Sequence, residues 1–528
     1  MAKNRKEKNK TPLTTAQQLS SIVKSARDIM RKDKGLNGDL DRLPMLTWIM
    51  FLKFLDDLEV QREMDAKLAG KRFRSAIEPP YRWRDWAAKE EGISGDDLKK
   101  FINQDEATLP NGKKGVGLFA YLRSLHSANG DRRDVIATVF KGVANRMDSG
   151  YLLRDVINKI NQIHFNASEE IHTLSHLYES LLKEMRDAAG DSGEFYTPRP
   201  VIRFMVQVVN PHLGEVVLDP AAGTGGFLVE AFKHLQQQAN TVEKRKVLQE
   251  ESIIGAEPKS LPYLLCQMNL LLHGLEYPKI SSNNSLAVRL AEIGDKDRVD
   301  VILTNPPFGG EEERGILNNF PADKQTAETA LLFLQLIMRK LKRQPKPGRA
   351  AVIVPNGTLF GDGVCARIKE ELLKEFNLHT IVRLPNGVFA PYTSIQTNII
   401  FFDRSGPTKE IWYYEQPLPE GRKQYTKTQP IQSEEFADCI AWSKKREEND
   451  RAWKVSAKDV LKHDESGNLM SVNLDIKNPK SKTDFEHLPP EQLADDILKK
   501  EERIADIMKE IKSALNGGSM ETSLRGIK

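Results

Sequence analysis

The sequence predicts an α/β protein: a mostly parallel sheet with one antiparallel strand, preceded by an all-helical N-terminal domain and followed by a helical tail. Three observations carry this. From residue 194 onward short apolar runs alternate with helical segments, as in "SIIGAE", "LPYLLCQMNLLLHG", "VDVILTNPPF" and "TAETALLFLQLIMRKLK". Before that point the apolar spacing is helical, without strand-type alternation. Near the end Leu493, Ile497, Ile504, Ile507 and Ile511 stand close to heptad spacing, with Lys500 breaking the seam.

The expected domains are 1–172, helical; 173–480, the α/β domain with a polar C-terminal extension; and 481–528, the tail. In the first, "LSSIVKSARDIMRK" and "LPMLTWIMFLKFLDDLE" read as helices, and "EPPYRWRDW" and "LPNGKKGVG" as breaks. "IHTLSHLYESLLKEMRDAAG" is a helix leading to Gly190 and Gly193, where the character changes. "EVVLDPAAGTGG" is then a strand and glycine turn, "FLVEAFKHLQQQ" a helix, "RAAVIVPNG" a strand and "VCARIKEELLKEF" a helix. "HTIVRLP" and "SIQTNIIFFDR" follow closely enough to form a hairpin, which supplies the antiparallel strand. Strands alternating with helices imply right-handed crossovers and a sheet covered on both faces. The stretch from "QPLPEGRKQYTK" to about 480 reads as polar, and "PPEQ" supplies a start for the tail helix.

At 528 residues, with 39% hydrophobic and 29% charged, the chain has the composition of a folded soluble protein with two or three domains. No apolar run reaches the roughly 18 residues of a spanning helix, so no membrane role is expected. Cys266, Cys365 and Cys439 lie far apart with no CxxC pair, which points away from a metal site and toward a reducing cytoplasm. A net charge of +4 does not by itself indicate nucleic acid; five Lys/Arg among the first ten residues read as a solvated basic tail.

In "VVLDPAAGTGGF" Asp219 closes a strand and Gly223, Gly225 and Gly226 precede a helix. Glycines there permit positive φ and close approach of main-chain N–H groups to a ligand. Glu257 ends the following strand at the same sheet edge, where a carboxylate can accept both hydroxyls of a ribose; the alternative is a plain surface acid. No GxxxxGK[ST] and no GxSxG occur, so the site looks made for a nucleoside ligand, with no covalent nucleophile.

Asn305 leaves a third strand at the same edge, and Pro306 and Pro307 end that strand because neither can donate to a ladder. The asparagine amide and the Pro306 carbonyl are two acceptors that suit an amino group with two hydrogens. Phe308 beside them suits a flat ring.

"DPAAGTGG" followed by "NPPF", with "GEFYTPRPV" upstream, resembles the S-adenosylmethionine-dependent amino-methyltransferases of DNA, and more narrowly the modification subunit of type I restriction–modification systems. The resemblance covers most of the chain. It implies a Rossmann-like methyltransferase sheet, S-adenosylmethionine as cofactor, no metal, and methylation of the N6 amino group of an adenine flipped out of double-stranded DNA. It also implies a separate specificity subunit that reads DNA, bound by two copies of the modification subunit, with a restriction subunit joining them. The tail from residue 488 is a candidate docking element. By the same resemblance Glu194, Phe195, Tyr196, Thr197, Pro198 and Arg199 match the segment covering the methionine end of the cofactor. Asp219, Ala222, Gly223, Thr224, Gly225 and Gly226 match the cofactor turn, Glu257 the ribose carboxylate, and Asn305, Pro306, Pro307 and Phe308 the catalytic tetrad. Asn284 falls where many relatives have an aspartate near the cofactor adenine. The competing readings are a protein glutamine methyltransferase, which predicts no large helical domain in front, an RNA amino-methyltransferase, and a non-catalytic cofactor-binding module, against which the intact tetrad speaks.

Overall fold

Helices fill the N-terminal region of the computed structural model, which describes residues 15–125, 132–165, 168–189, 196–310 and 312–480, and in the tail 498, 500–509 and 512. They include Thr15–Met30, Asp39–Leu68, Gly95–Asn103, Arg132–Lys141, Gly150–Ile160 and Ser168–Ala189. The second begins four residues before the Leu43-Pro44 step, with Asp39 and Asp41 in its first turn where the helix dipole favours acids. Aromatic side chains bind this region together: Trp48 meets Phe119 edge to face at 5.1 Å and Phe119 meets Phe140 at 5.3 Å. It also holds a hairpin, β1 (Glu106–Thr108) and β2 (Lys114–Val116), so it is helical without being purely so. Its turn is the "LPNG" break, with Gly112 at φ 79°.

The nine-stranded sheet contains β3 (Val217–Asp219), β4 (Ile253–Ala256), β5 (Lys279–Ser281), β6 (Val301–Thr304), β7 (Arg349–Pro355), β8 (Asn377–Arg383), β9 (Thr397–Asp403), β10 (Glu410–Glu415) and β11 (Ala452–Ser456). The strand order is β11-β10-β8-β9-β7-β6-β3-β4-β5. Strands β3 to β7 are parallel neighbours, and β9 runs antiparallel to both β7 and β8, as the expected hairpin requires. A second antiparallel strand, β11, pairs with β10 at the sheet edge, which corrects the expectation of one. The supposed polar extension supplies it: Trp453 of β11 stacks at 5.2 Å on Tyr413 in the "IWYYE" run of β10, which precedes that extension. The stretch before β4 also forms a helix, Val242–Glu250, whose first turn is capped by the Thr241 hydroxyl.

Side chains alternate across the sheet. Ala351 and Ile353 face one core, which runs on into the N-terminal helices; Ala350, Val352 and Val354 face the other. The first face is covered by the helices Arg199–Val209, Gly226–Gln236 and Ser260–Leu272, the second by Thr329–Lys340 and Val364–Glu375. The chain divides into two units, one to Ile476 and one from Lys477. Within the second, residues 500–509 are helical and carry Ile504 and Ile507. Leu493, Ile497, Ile511 and the "PPEQ" start lie outside the described residues, as do Glu194 and Phe195.

Candidate active site

The strand order reverses at β3. From there β4 and β5 run one way and β6 and β7 the other, which makes the β3–β6 boundary the switch point where ligands of such sheets bind. Asp219 ends β3, Thr304 ends β6, and Glu257 and Asn305 are the residues that follow β4 and β6. All four stand at one edge because the ladders are parallel and in register, Asp219 opposite Gly255 and Ala256 opposite Ser281.

The glycine turn after β3 is tight. Gly223 and Gly225 hold φ of 53° and 77°, Gly225 N–H donates to the Ala222 carbonyl at 2.7 Å, and Ala222 N–H to that of Ala256 at 2.9 Å. A side chain at Gly225 would stand 2.8 Å from Cys266 Sγ, and one at Gly226 2.3 Å from Arg199 Nη1. Thr224 is buried, and its carbonyl accepts from Asn269 Nδ2 at 2.8 Å.

Two carboxylates flank the turn. Glu257 is buried, its Oε2 accepting the Gly223 N–H at 3.0 Å and its Oε1 the Lys259 N–H at 2.8 Å. Asp219 is also buried; its Oδ1 accepts from the Thr304 hydroxyl at 2.7 Å and from the Ala221 N–H at 3.1 Å. Its Oδ2 has no partner among the described residues. Burial pushes the Asp219 carboxyl up to about 7, against its two hydrogen bonds and helped by the charge of Glu257.

Beside them lies a crevice of about 290 Å³ whose walls include Gly223, Glu257, Asn284, Asn305, Pro307 and Phe333. Of the residues singled out in the sequence, Gly223, Glu257, Asn284, Asn305 and Pro307 therefore meet there. Asp219, Ala222, Thr224, Gly225 and Gly226 underlie it. Asn284 is engaged locally: its Oδ1 accepts the Leu286 N–H at 2.9 Å and caps a short 3-10 turn, while Nδ2 reaches Glu312 at 3.4 Å. Asn305 Nδ2 donates to the Thr197 hydroxyl at 3.0 Å, and its Oδ1 is buried with no partner among the described residues. Pro306 is buried, and Phe308 packs edge-on against Phe389 at 5.8 Å.

Arg199 stands apart from the crevice walls. Its Nε donates to Glu179 Oε2 at 2.7 Å and its Nη2 to Glu179 Oε1, an ion pair with side chains 11% and 17% exposed. The Arg199 guanidinium also lies over the Tyr196 ring, 5.8 Å from its centre. Desolvation disfavours the Arg199 charge, but Glu179 outweighs it and raises the pKa; the same pairing lowers that of Glu179. Sequence reading missed Glu179, Thr304, Asn269 and Phe389. Each is an ordinary residue of its own helix, strand or loop, and only the tertiary pairing marks it.

The features fit an S-adenosylmethionine site: a turn stripped of side chains, a main-chain-anchored carboxylate at the next strand end, and beneath it a buried acid oxygen with no partner among the described residues.

Comparison with known proteins adds the family. Residues 169–483 match the family model described as N-6 DNA Methylase, and residues 19–160 the HsdM N-terminal domain. The methylase subunit of the type I restriction enzyme EcoEI of Escherichia coli is 47% identical over 487 residues, 90% of this chain and 93% of the relative. A crystal structure of a modification subunit of a putative type I restriction enzyme from Vibrio vulnificus YJ016 is 72% identical. It covers 90% of this chain and all of that one, with a TM-score of 0.82. A chain from a structural study of complex assembly and conformational transition in a type I R-M system is 38% identical over 96% of this chain and all of that one, TM-score 0.76.

Proposed function

This chain belongs to the methylase subunits of type I restriction enzymes, and we propose that the crevice at Asn305 is where it methylates the N6 amino group of adenine in DNA. The family's reaction is S-adenosylmethionine-dependent amino methylation. The observation that carries the assignment of the site is Asn305, whose amide nitrogen is held and whose buried Oδ1 has no partner among the described residues, at the switch-point exit of β6.

The chain's own residues have distinct roles in this reading. The glycine turn and Glu257 hold the cofactor, with Glu257 accepting from the ribose hydroxyls and Gly223 and Lys259 fixing its carboxylate. S-adenosylmethionine supplies, when bound, a methyl group already activated on a sulfonium. The adenine must leave the stack to enter the crevice. Asn305 Oδ1 and the Pro306 carbonyl accept the two N–H bonds of its amino group. That pulls the nitrogen toward a tetrahedral shape, frees its lone pair from the ring, and stabilises the positive charge that grows on it. Phe308, braced by Phe389, stacks on the base. Pro307 closes the wall beside it.

Family membership also supports an assembly: two copies of this chain with a specificity subunit that reads double-stranded DNA, joined by a restriction subunit. We place the domain boundaries near 172 and 480 and the protein in the cytoplasm, in keeping with three buried free thiols. Among the described residues no helix is long and apolar enough to cross a membrane. The test is methyl transfer to duplex DNA by the purified chain with and without the co-expressed specificity subunit. Site-selective adenine methylation only with the subunit supports the reading, and robust site-specific methylation by the isolated chain contradicts it.

A further inference from the structure

We propose that Thr197 is a positioning residue for Asn305 rather than a cofactor ligand: its hydroxyl holds the amide so that Oδ1 is the atom offered to the target amine. This rests on the proposed role of Asn305 as the acceptor of that amine.

The contact is direct. Asn305 Nδ2 donates to Thr197 Oγ1 at 3.0 Å across 108 residues of chain. An asparagine amide is nearly symmetric in shape and opposite in chemistry at its two ends. Turned over, it would present an NH₂ to the NH₂ of adenine, two donors with nothing to accept. Orientation of the amide is therefore a condition of catalysis. In the orientation found, Nδ2 donates to the Thr197 hydroxyl, a group that can accept as well as donate, and Oδ1 has no partner among the described residues.

Thr197 is well placed to hold a position. It sits between two anchored neighbours in the short stretch before the helix Arg199–Val209. Pro198 stands at the N-cap position of that helix, its carbonyl accepting the Val201 N–H at 3.1 Å, and Arg199 is tied to Glu179 and lies over the ring of Tyr196. The crevice walls around Glu257 do not include Thr197. A segment that sequence motifs assign to the cofactor thus reaches the catalytic asparagine directly, and the amide is set before any base arrives. That is preorganisation of the kind that lowers a barrier.

The test uses the full chain co-purified with its partner subunits and compares Thr197→Val, which keeps the shape and removes the acceptor, with Thr197→Ser, which keeps the hydroxyl. Steady-state methylation gives kcat, and calorimetry gives S-adenosylmethionine affinity. The valine variant should lose roughly three- to tenfold in kcat, the worth of one neutral hydrogen bond. Its cofactor affinity should stay within about twofold of wild type and serine should restore kcat, as expected where only one hydrogen bond has changed. In an Asn305→Ala background Thr197→Val should cost nothing further, since the group it positions is gone. Cofactor affinity falling in step with kcat, failure of serine to rescue, or full additivity with Asn305→Ala would each overturn the proposal. An Asn305→Ala protein that itself turns over normally would overturn the underlying reading of Asn305 instead, so the two failures are told apart.

Discussion

The hydroxyl of Thr304 donates to Asp219 Oδ1 at 2.7 Å, joining the last residues of β3 and β6 across the point where the strand order reverses. This bond sets the two strand ends from which the glycine turn and the Asn305 exit depart. It satisfies one oxygen of a fully enclosed acid, while the other has no partner among the described residues, with a consequence for pH.

Burial raises the Asp219 carboxyl from 3.8 to about 7. A carboxyl raised in the folded state keeps its proton better there than in the unfolded chain. The stability it contributes is present below about pH 4 and is lost as pH rises toward 7. Asp219→Asn cannot ionise, so its melting temperature should gain on wild type between pH 5 and pH 8, by an amount corresponding to roughly 2–4 kcal/mol. Thermal melts of both proteins without cofactor check this; a gap constant across that range contradicts it.

Glu257→Ala should weaken S-adenosylmethionine binding before it affects anything else in the reaction. A charge-assisted hydrogen bond is worth roughly 1.5–3 kcal/mol, about ten- to a hundredfold in affinity. Calorimetry measures it directly, and unchanged affinity would remove Glu257 from the site.

Arg199 and Glu179 form a nearly enclosed pair. Removing one member leaves a buried charge without compensation, at a cost of about 3–5 kcal/mol. Arg199→Met alone should therefore lower the melting point strongly, and Glu179→Leu added to it should recover most of the loss. If the double variant regains stability but not cofactor affinity, Arg199 serves the cofactor as well as the fold; recovery of both shows a structural residue.

Much of this was legible because strand ends are marked by chemistry that strands do not need. Asp219, Glu257 and Asn305 each close an apolar run with a polar group, and parallel strands must bring such ends to one edge. The hairpin of β8 and β9 was legible from its short spacing. Strands β10 and β11 were not, because the long polar stretch between them hid a pairing made by Tyr413 and Trp453. The helix Val242–Glu250 has a single buried side chain, Leu248, and so no apolar stripe to betray it. The pairing of Arg199 with Glu179 was not legible, because Glu179 lies in another helix with no local signal. The hold of Thr197 on Asn305 spans 108 residues and belongs to the tertiary structure alone.

The most direct test of the account is Asn305→Ala in the assembled enzyme, measured for methyl transfer to duplex DNA and for S-adenosylmethionine affinity on the same preparation. The account predicts a rate lowered by roughly 10²–10³ or more, the cost of removing one preorganised group from such a site, with cofactor affinity within a few-fold of wild type. Near-normal turnover by a correctly folded Asn305→Ala protein would contradict it.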